Sequence, residues 1–307
     1  MNIVFALYYE DDEILLRHST KPGYGNCLFY PFKILISQLE QLGHKVWSRK
    51  EFPLANADLA VFIDLDSQMY DLARELPDST RKMLCAMESP IYTPLTFDAN
   101  IVFNGPWDIV LTWHRGFKSS RIKHFDLPVT GTRQSSFFPP ENNTNSRGVV
   151  VSSYKKDVRG NTLLRDTLFL ELARNGEVDI YGKRWKKSKN IHGAIDNKIE
   201  TMSAYDFAFL TENSLYPGYV TEKLGDAILA GLPSIYYGDI ENAERLYPGT
   251  FVPVNELSIQ SFHNAKAELL ANYDQLAAKV EEAQQNSNHW TDSFINNFIN
   301  AVKTLGE

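Results

Sequence analysis

The sequence has little cysteine and no long apolar run. Only two of its 307 residues are cysteines, Cys27 and Cys85, and their separation fits neither a metal-binding nor a redox motif. We therefore expect reduced, structural thiols in a cytoplasmic protein. No apolar stretch approaches the roughly 20 residues that span a bilayer, and the short apolar run at the start is followed by acids, unlike a signal peptide. We expect at most peripheral association with a membrane, at its inner face.

A basic surface is also missing, because acidic residues outnumber basic ones and the formal net charge is −7. This balance argues against nucleic acid as a partner, although a local basic pocket for a small anion stays compatible with it. No G-x-G-x-x-G sequence follows the first apolar run, and no phosphate-binding P-loop is present. These absences disfavour a nicotinamide oxidoreductase and a P-loop enzyme.

Strand and helix patterns alternate in two blocks on either side of a polar stretch, residues 129–147. The length and the 43% hydrophobic content suit two α/β domains, with parallel sheets covered on both faces. We assign residues 1–140 to the first domain and 148–307 to the second, which ends in a C-terminal helical tail. The predicted strands are 3–7, 59–65, 83–87, 148–152, 178–181, 207–210 and 234–237, and the predicted helices are 28–42, 163–173, 222–230 and most of 259–305.

The strongest site signal lies in residues 205–239. An apolar strand ends in polar residues, a Pro-Gly loop follows, and Thr221 precedes a helix as its expected cap. Backbone N–H groups and the positive dipole end make such a helix start a site for anions, although a bare Thr-Glu-Lys sequence is more often a capped, solvated helix start. The candidate ligands in this stretch are Asn213, Ser214, Tyr219, Glu222 and Lys223.

Two further candidate residues come after predicted strands. Arg165 opens the helix after strand 148–152, and a guanidinium suits phosphate because it presents paired donors and stays charged. Glu88 follows strand 83–87, where a carboxylate could take the proton of an attacking hydroxyl. By themselves, such residues are more often ordinary surface charges.

Weaker signals lie in the same half of the chain as Glu88. Asp64-Leu65-Asp66 fits the D-x-D pattern that holds a divalent metal in some enzymes, but helix-capping Asp is ordinary after a strand, so we expect no metal. Asn104, His114 and Arg115 are candidates for lining a cleft, and His114 fits a packed loop histidine equally well.

Taken together, these stretches resemble the α-1,3/4-fucosyltransferase family. Residues 205–239 are similar to its donor motif in order and spacing, from Asn-Ser through a Tyr to Thr-Glu-Lys and a helix. The stretch around Arg165 resembles the family's Val-Ser-Asn strand and following helix, with Ser153 in place of the usual Asn. Glu88-Ser89-Pro90 resembles its E-S-P segment. The resemblance covers about residues 86–256.

The resemblance implies a GT-B fold, in which two Rossmann-like domains face a cleft, the first binding a glycan acceptor and the second a nucleotide sugar. It implies that Arg165 and Lys223 hold the diphosphate of GDP-fucose, that Glu222 holds the ribose, and that Glu88 is the general base. The implied reaction is inverting transfer of L-fucose to a glycan hydroxyl, with no metal and no other cofactor. The resemblance also implies that Asn213, Ser214 and Tyr219 lie around the sugar or the phosphate of the donor.

Two alternatives stay open. A related transferase with another nucleotide sugar would keep the phosphate and ribose contacts and change only the sugar pocket. A nucleotide-sugar-binding protein without turnover would keep the donor site, and replacing Glu88 would then change nothing measurable.

Overall fold

The computed structural model describes residues 1–7, 30–129, 147–155 and 159–306. Contacts divide the described chain into two units, the first made of residues 1–7, 30–128 and 291–306, and the second of 129, 147–155 and 159–290. Most of the predicted linker, residues 130–146, lies outside the described residues, as does Cys27.

The first unit contains a six-stranded parallel sheet. Its strands are β1 (Asn2–Leu7), β2 (Lys45–Ser48), β3 (Leu59–Ile63), β4 (Arg81–Ala86), β5 (Ile109–Thr112) and β6 (Ile122–His124). They lie in the order β2-β1-β3-β4-β5-β6, and every pairing is parallel. The central strands β1 and β3 are almost wholly apolar and buried, as strands covered on both faces require.

Among the residues that the structure describes, three helices connect these strands: α1 (Tyr30–Gln41), α2 (Ser67–Glu75) and α3 (Ala99–Asn104). Helix α1 ends close to its predicted boundary because Gly43 adopts a left-handed conformation, with φ of 84°, that glycine reaches without steric cost. Helix α2 is capped by the side chain of Asp66, which accepts a hydrogen bond from the Met69 N–H at 2.7 Å.

The second unit contains a five-stranded parallel sheet in the order β11-β10-β9-β7-β8. Its strands are β7 (Gly148–Val151), β8 (Val178–Tyr181), β9 (Phe207–Thr211), β10 (Ser234–Tyr237) and β11 (Phe251–Pro253). The helices of this unit are α4 (Thr162–Arg174), α5 (Lys198–Met202), α6 (Glu222–Leu229), α7 (Ile240–Leu246), α8 (Ile259–Ala271) and α9 (Tyr273–Gln285). The predicted class, two Rossmann-like α/β domains with C-terminal helices, is confirmed.

In each sheet the strand order reverses at the first strand of the unit, because the second and third strands lie on opposite sides of it. Strand β1 lies between β2 and β3, and β7 lies between β8 and β9. In open parallel sheets, ligands bind beyond the carboxyl ends of the strands at such a reversal. The residues that follow β3, β7 and β9 are therefore candidates for binding a ligand.

Four short strands were not predicted from the sequence: β2, β5, β6 and β11. Three of them, β2, β6 and β11, lie at sheet edges, where a strand needs fewer apolar residues because one side has no neighbouring strand. Each has only three or four residues, too few for a period to be read.

The last helix, α10 (Asp292–Gly306), packs on the first unit, whereas the sequence-based division puts all residues after 148 in the second. Its apolar face contacts α1, β5 and β6. The Phe294 ring meets Phe32 and Phe125 edge to face at centroid distances of 5.4 and 5.3 Å. A regular helical pattern predicts an apolar face but does not say which domain that face covers.

In the described part of the chain, none of the helices has both the length and the apolar character that crossing a bilayer requires.

We predict that Phe294→Ala destabilises the first unit by about 3–5 kcal/mol, because it removes a fully buried ring from an aromatic cluster. Urea unfolding measures the change. Asn296→Ala, on the exposed side of the same helix, is the matched control and is expected to have little effect. Equal effects of the two substitutions would contradict the packing of α10 on the first unit.

Candidate functional site

A buried carboxylate, Glu212, follows β9 at the reversal point of the second sheet. Its side chain has no exposed surface. Oε1 accepts hydrogen bonds from the Thr221 N–H at 2.9 Å and the Tyr236 hydroxyl at 3.3 Å. Lys223 Nζ donates to Oε2 at 2.7 Å, and the Thr221 hydroxyl also donates to the carboxylate. Burial and the Glu212 charge together raise the pKa of Tyr236 well above its usual value.

Lys223 lies in the first turn of α6, as predicted, and its charge is balanced within the protein. Its ammonium group has three donors, of which one reaches Glu212 and one the Thr221 hydroxyl at 2.8 Å. Burial by itself lowers the pKa of Lys223, but Glu212 and Glu222 outweigh burial and raise it. The side chain keeps 16% of its surface exposed, so the third donor can serve a ligand.

The predicted helix cap at Thr221 needs correction. Thr221 occupies the N-cap position, but its side chain makes no capping hydrogen bond to α6. Its hydroxyl instead bridges Glu212 and Lys223. The hydroxyl donates to the buried carboxylate and accepts from the ammonium group of Lys223, so it stabilises this ion pair instead of accepting from the N–H groups at the start of α6.

A second cation, Lys198, links two carboxylates of α6. Lys198 Nζ lies 2.7 Å from Asp226 Oδ2 and 3.7 Å from Glu222 Oε1, and the Asp226 side chain is buried. Burial alone raises the pKa of Glu222, but the charges of Lys223 and Lys198 outweigh it and lower the pKa to about 2. The Glu222 side chain, 29% exposed, is thus held ionised at the surface as a strong acceptor.

Arg165, the predicted diphosphate ligand, lies at the start of α4 with its side chain 2% exposed. Nε and Nη2 donate to Asp166 Oδ1 at 2.9 and 2.7 Å, and Nη1 donates to Asn213 Oδ1 at 2.8 Å. The preceding residues Leu163 and Leu164 are exposed instead, the reverse of the usual pattern. This inverted turn brings Arg165 beside the loop after β9.

Consecutive residues therefore hold the two predicted phosphate-binding cations: Glu212 holds Lys223, and Asn213 holds Arg165. Ser214 and Tyr219 lie in the loop that continues from them, and both are buried. Their contact with a donor sugar or phosphate stays a prediction.

Glu88 lies at the carboxyl end of β4 in the first unit, partly exposed, with Oε1 accepting from the Ser89 N–H at 2.8 Å. Its backbone N–H donates to the buried side chain of Asp64, which follows the neighbouring strand β3. Burial, with a further contribution from the charge of Glu88, raises the pKa of Asp64 to about 7, against the N–H donors of Met87 and Glu88 that lower it.

His114 and Arg115 follow β5 at the same edge as Glu88, since Ala86 of β4 pairs with Thr112 of β5. The His114 ring stacks on Phe117 at 4.5 Å, and burial lowers its pKa, so it is a packed neutral histidine. Arg115 forms an ion pair with Asp126. Both side chains therefore have packing partners of their own.

Asn104 does not lie with these residues. It ends α3, which leads into β5, so it lies toward the edge where the strands begin. Its side chain donates to Asn100 on the helix surface at 2.8 Å. The structure therefore places Asn104 away from Glu88, His114 and Arg115.

Three residues at these sites were not identified from the sequence: Glu212, Lys198 and, in its actual role, Asp64. A sequence signal for Glu212 did exist: an acid that directly follows a buried strand can itself be buried, and it then needs a cation or hydrogen-bond donors around it. Lys198 precedes its carboxylates by 24 and 28 residues, and no local pattern links them.

Among the described residues, no group of three or more His, Cys, Asp or Glu side chains could hold a metal ion.

Comparison with known proteins adds a family match. The family described as glycosyltransferase family 10 (fucosyltransferase), C-terminal part, matches residues 141–303, just over half of the chain. The chain is similar to the 4-galactosyl-N-acetylglucosaminide 3-alpha-L-fucosyltransferase 9 of Rattus norvegicus, with 26% identity over 223 residues, which cover 71% of this chain and 57% of the relative.

It is also similar to the alpha-(1,3)-fucosyltransferase FucT of Helicobacter pylori, with 28% identity over 108 residues, which cover 35% of this chain and 20% of the relative. The chain thus spans less than two thirds of these relatives. A crystal structure of an alpha1,3-fucosyltransferase with GDP-fucose superposes with a TM-score of 0.55 over 99% of this chain and 90% of that chain, at 16% identity. This similarity shows a shared fold.

The charge cluster predicts how stability depends on pH. The pKa of Glu222 is about 2 when folded and about 4.3 in an unfolded chain, so its ionisation stabilises the fold above pH 4.3, and this contribution is lost as pH falls toward 2. Glu222→Gln should therefore cost about 3 kcal/mol at pH 7 and progressively less below pH 5. Urea unfolding across this range measures it, with Glu281→Gln, exposed on α9, as control. A difference independent of pH would contradict the role of the two lysines.

Proposed function

This chain belongs to glycosyltransferase family 10, the fucosyltransferase family, and we propose that it transfers L-fucose from GDP-fucose to a hydroxyl group of a glycan acceptor. The observation that carries the proposal is the arrangement at the end of β9, where two consecutive residues, Glu212 and Asn213, hold Lys223 and Arg165. Fucosyltransferase names among the relatives, and a structure with GDP-fucose among those of the same fold, support the donor.

In the proposed reaction, an acceptor oxygen bonds to the anomeric carbon of fucose while the bond from that carbon to the diphosphate breaks. The acceptor proton goes to the carboxylate of Glu88, and the electron pair of the broken bond leaves with GDP. Inversion follows from a single displacement. Negative charge grows on the departing diphosphate, where Lys223 and Arg165 would each stabilise it by about 3 kcal/mol.

We propose that Glu222 binds the ribose hydroxyls of the donor. Its ionised carboxylate, kept so by Lys198 and Lys223, is a strong acceptor for two neighbouring hydroxyl groups. Asn213, Ser214 and Tyr219 belong to the same proposed donor site. For the acceptor, the name of the rat relative suggests a 4-galactosyl-N-acetylglucosaminide as the first compound to test.

Metal independence is part of the proposal, because Lys223 and Arg165 would supply to the diphosphate the charged donors that would take the place of a metal ion. A cytoplasmic location is proposed as well, and what supports it is the scarcity of cysteine, with Cys85 a buried free thiol. Association with a membrane would then be peripheral. The proposed partners are the nucleotide-sugar donor and the glycan acceptor, and no nucleic acid is among them.

Donor binding is tested by calorimetric titration with GDP, GDP-fucose, GDP-mannose and UDP-sugars, with EDTA present throughout. We expect GDP and GDP-fucose to bind despite the chelator, and Lys223→Met to weaken binding about 10- to 100-fold through loss of a charged hydrogen bond. Lys279→Met, exposed on α9, is the matched control and should bind as the wild type does.

Because Lys223→Met also leaves the carboxylate of Glu212 short of a partner, the double variant Glu212→Gln/Lys223→Met is measured beside it. Weak binding in both variants would assign the loss to the ammonium group, and thermal unfolding verifies that each variant is folded. Binding of uridine sugars alone would reject fucose from GDP-fucose as the transferred group and favour the related transferase.

Glu88→Gln tests the base. We expect kcat for fucose transfer to fall about 100- to 10,000-fold while the Kd for GDP is unchanged, because proton acceptance is lost and the donor site is intact. Glu75→Gln, exposed at the end of α2, is the control. Donor binding without transfer in the wild-type protein would instead favour a nucleotide-sugar-binding protein.

A further inference from the structure

Asp64 is a fully buried acid at the reversal point of the first sheet. It follows β3 directly, and its own N–H continues the ladder by donating to the Cys85 carbonyl of β4 at 3.1 Å. Its neighbour Asp66 acts as the cap of α2. The two acids of the D-x-D pattern therefore have different roles, and only that of Asp66 is an ordinary one.

The carboxylate of Asp64 receives the first two backbone N–H groups beyond β4. Met87 N–H donates to Oδ1 at 3.0 Å, and Glu88 N–H donates to Oδ2 at 3.0 Å. These N–H groups come just where the chain leaves the sheet, so they would otherwise lack the partners that a strand supplies. The acid on one strand thus fixes the backbone of the next strand at Glu88.

The backbone of Asp64 is held in a conformation that residues other than glycine rarely adopt. Its φ is 56°, one of two positive values among the described non-glycine residues. Such a conformation persists only where the surroundings enforce it, and it occurs most often at functional sites. Here it turns the carboxylate toward β4, and the following N–H, that of Leu65, is taken by the Thr96 hydroxyl at 2.8 Å.

We propose that Asp64 is a positioning residue for Glu88: its carboxylate fixes the peptide groups of Met87 and Glu88, so the Glu88 side chain leaves β4 in one direction. This inference rests on the proposed role of Glu88 as the base. Glu88 is partly exposed in the loop after β4, and its Oε1 accepts from the Ser89 N–H of the same loop at 2.8 Å, so the orientation of the side chain depends on the backbone that Asp64 holds. A displacement of about 1 Å of a reacting group can cost 100-fold in rate, so this fixation bears on kcat rather than on donor binding.

Asp64→Asn is the main test, because Asn tolerates the left-handed backbone but keeps only one acceptor oxygen. We expect kcat for fucose transfer to fall about 10- to 100-fold, with the Kd for GDP unchanged. Asp66→Asn makes the same charge change two residues away, keeps a capping side chain, and should retain the wild-type kcat. Asp64→Gly removes both acceptors while permitting the same φ and should reduce kcat at least as much.

A double-mutant cycle separates positioning from a general structural role. In the Glu88→Gln background, Asp64→Asn should lower kcat less than about threefold, since there is no longer a carboxylate to position. Hydrogen exchange of the Met87 and Glu88 amides provides a readout independent of activity, and it should accelerate in Asp64→Asn but not in Asp66→Asn.

Equal losses of kcat with and without the Glu88 carboxylate, or unchanged amide exchange in Asp64→Asn, would overturn the inference. Accelerated exchange in a protein whose wild type binds no guanine nucleotide and transfers no fucose would reject the proposed function and leave the hydrogen bonds of Asp64 established. The two failures are therefore distinguishable.

Discussion

The buried charge of Glu212 is the constraint on which the second unit's site depends. A carboxylate removed from water costs several kcal/mol unless cations and hydrogen-bond donors surround it. Here the donors come from Thr221 and Lys223 at the start of α6 and from Tyr236 in β10. Their bonds fix the helix start against the ends of two strands. The same contacts that make the charge tolerable therefore hold the ammonium group of Lys223 at the carboxyl edge of the sheet.

The first unit uses the same position for a different acid. Strands β3 and β9 are each the third strand of their unit, each lies beside the first strand, and each is followed directly by a buried carboxylate, Asp64 or Glu212. The partners differ: Asp64 has two backbone N–H groups, whereas Glu212 has a lysine, a hydroxyl pair and one N–H. Backbone donors fix a neighbouring loop, and a cation partner adds a charge for an anion. The topology thus supplies the place, and the acid's partners determine what it does there.

Sequence reasoning worked where a signal is local and failed where only the fold brings residues together. Strands β3, β9 and β10 and the start of α6 agree closely with prediction, because apolar runs mark the strands and Thr221 occupies the N-cap position. Helix α4 was predicted, but its orientation was not: a helical period would bury Leu163 and Leu164, and the pairing of Arg165 with Asp166 and Asn213 reverses that turn. The contact of Lys198 with α6 has no local pattern at all. Polar networks decide such cases, and a hydrophobic pattern does not encode them.

The pairing of both cations has a consequence for the proposed donor site. Lys223 uses two of its three donors on Glu212 and Thr221, and Arg165 uses three of its five on Asp166 and Asn213, so they offer an anion only the donors that remain, in fixed directions. A site of free lysines would attract many anions, whereas one with few oriented donors favours a ligand whose oxygens match them. Because the donors are already held, little reorganisation is needed as charge develops on the diphosphate, which is the condition under which electrostatic stabilisation is strongest. The carboxylates that neutralise these cations therefore contribute to selectivity and to catalysis alike.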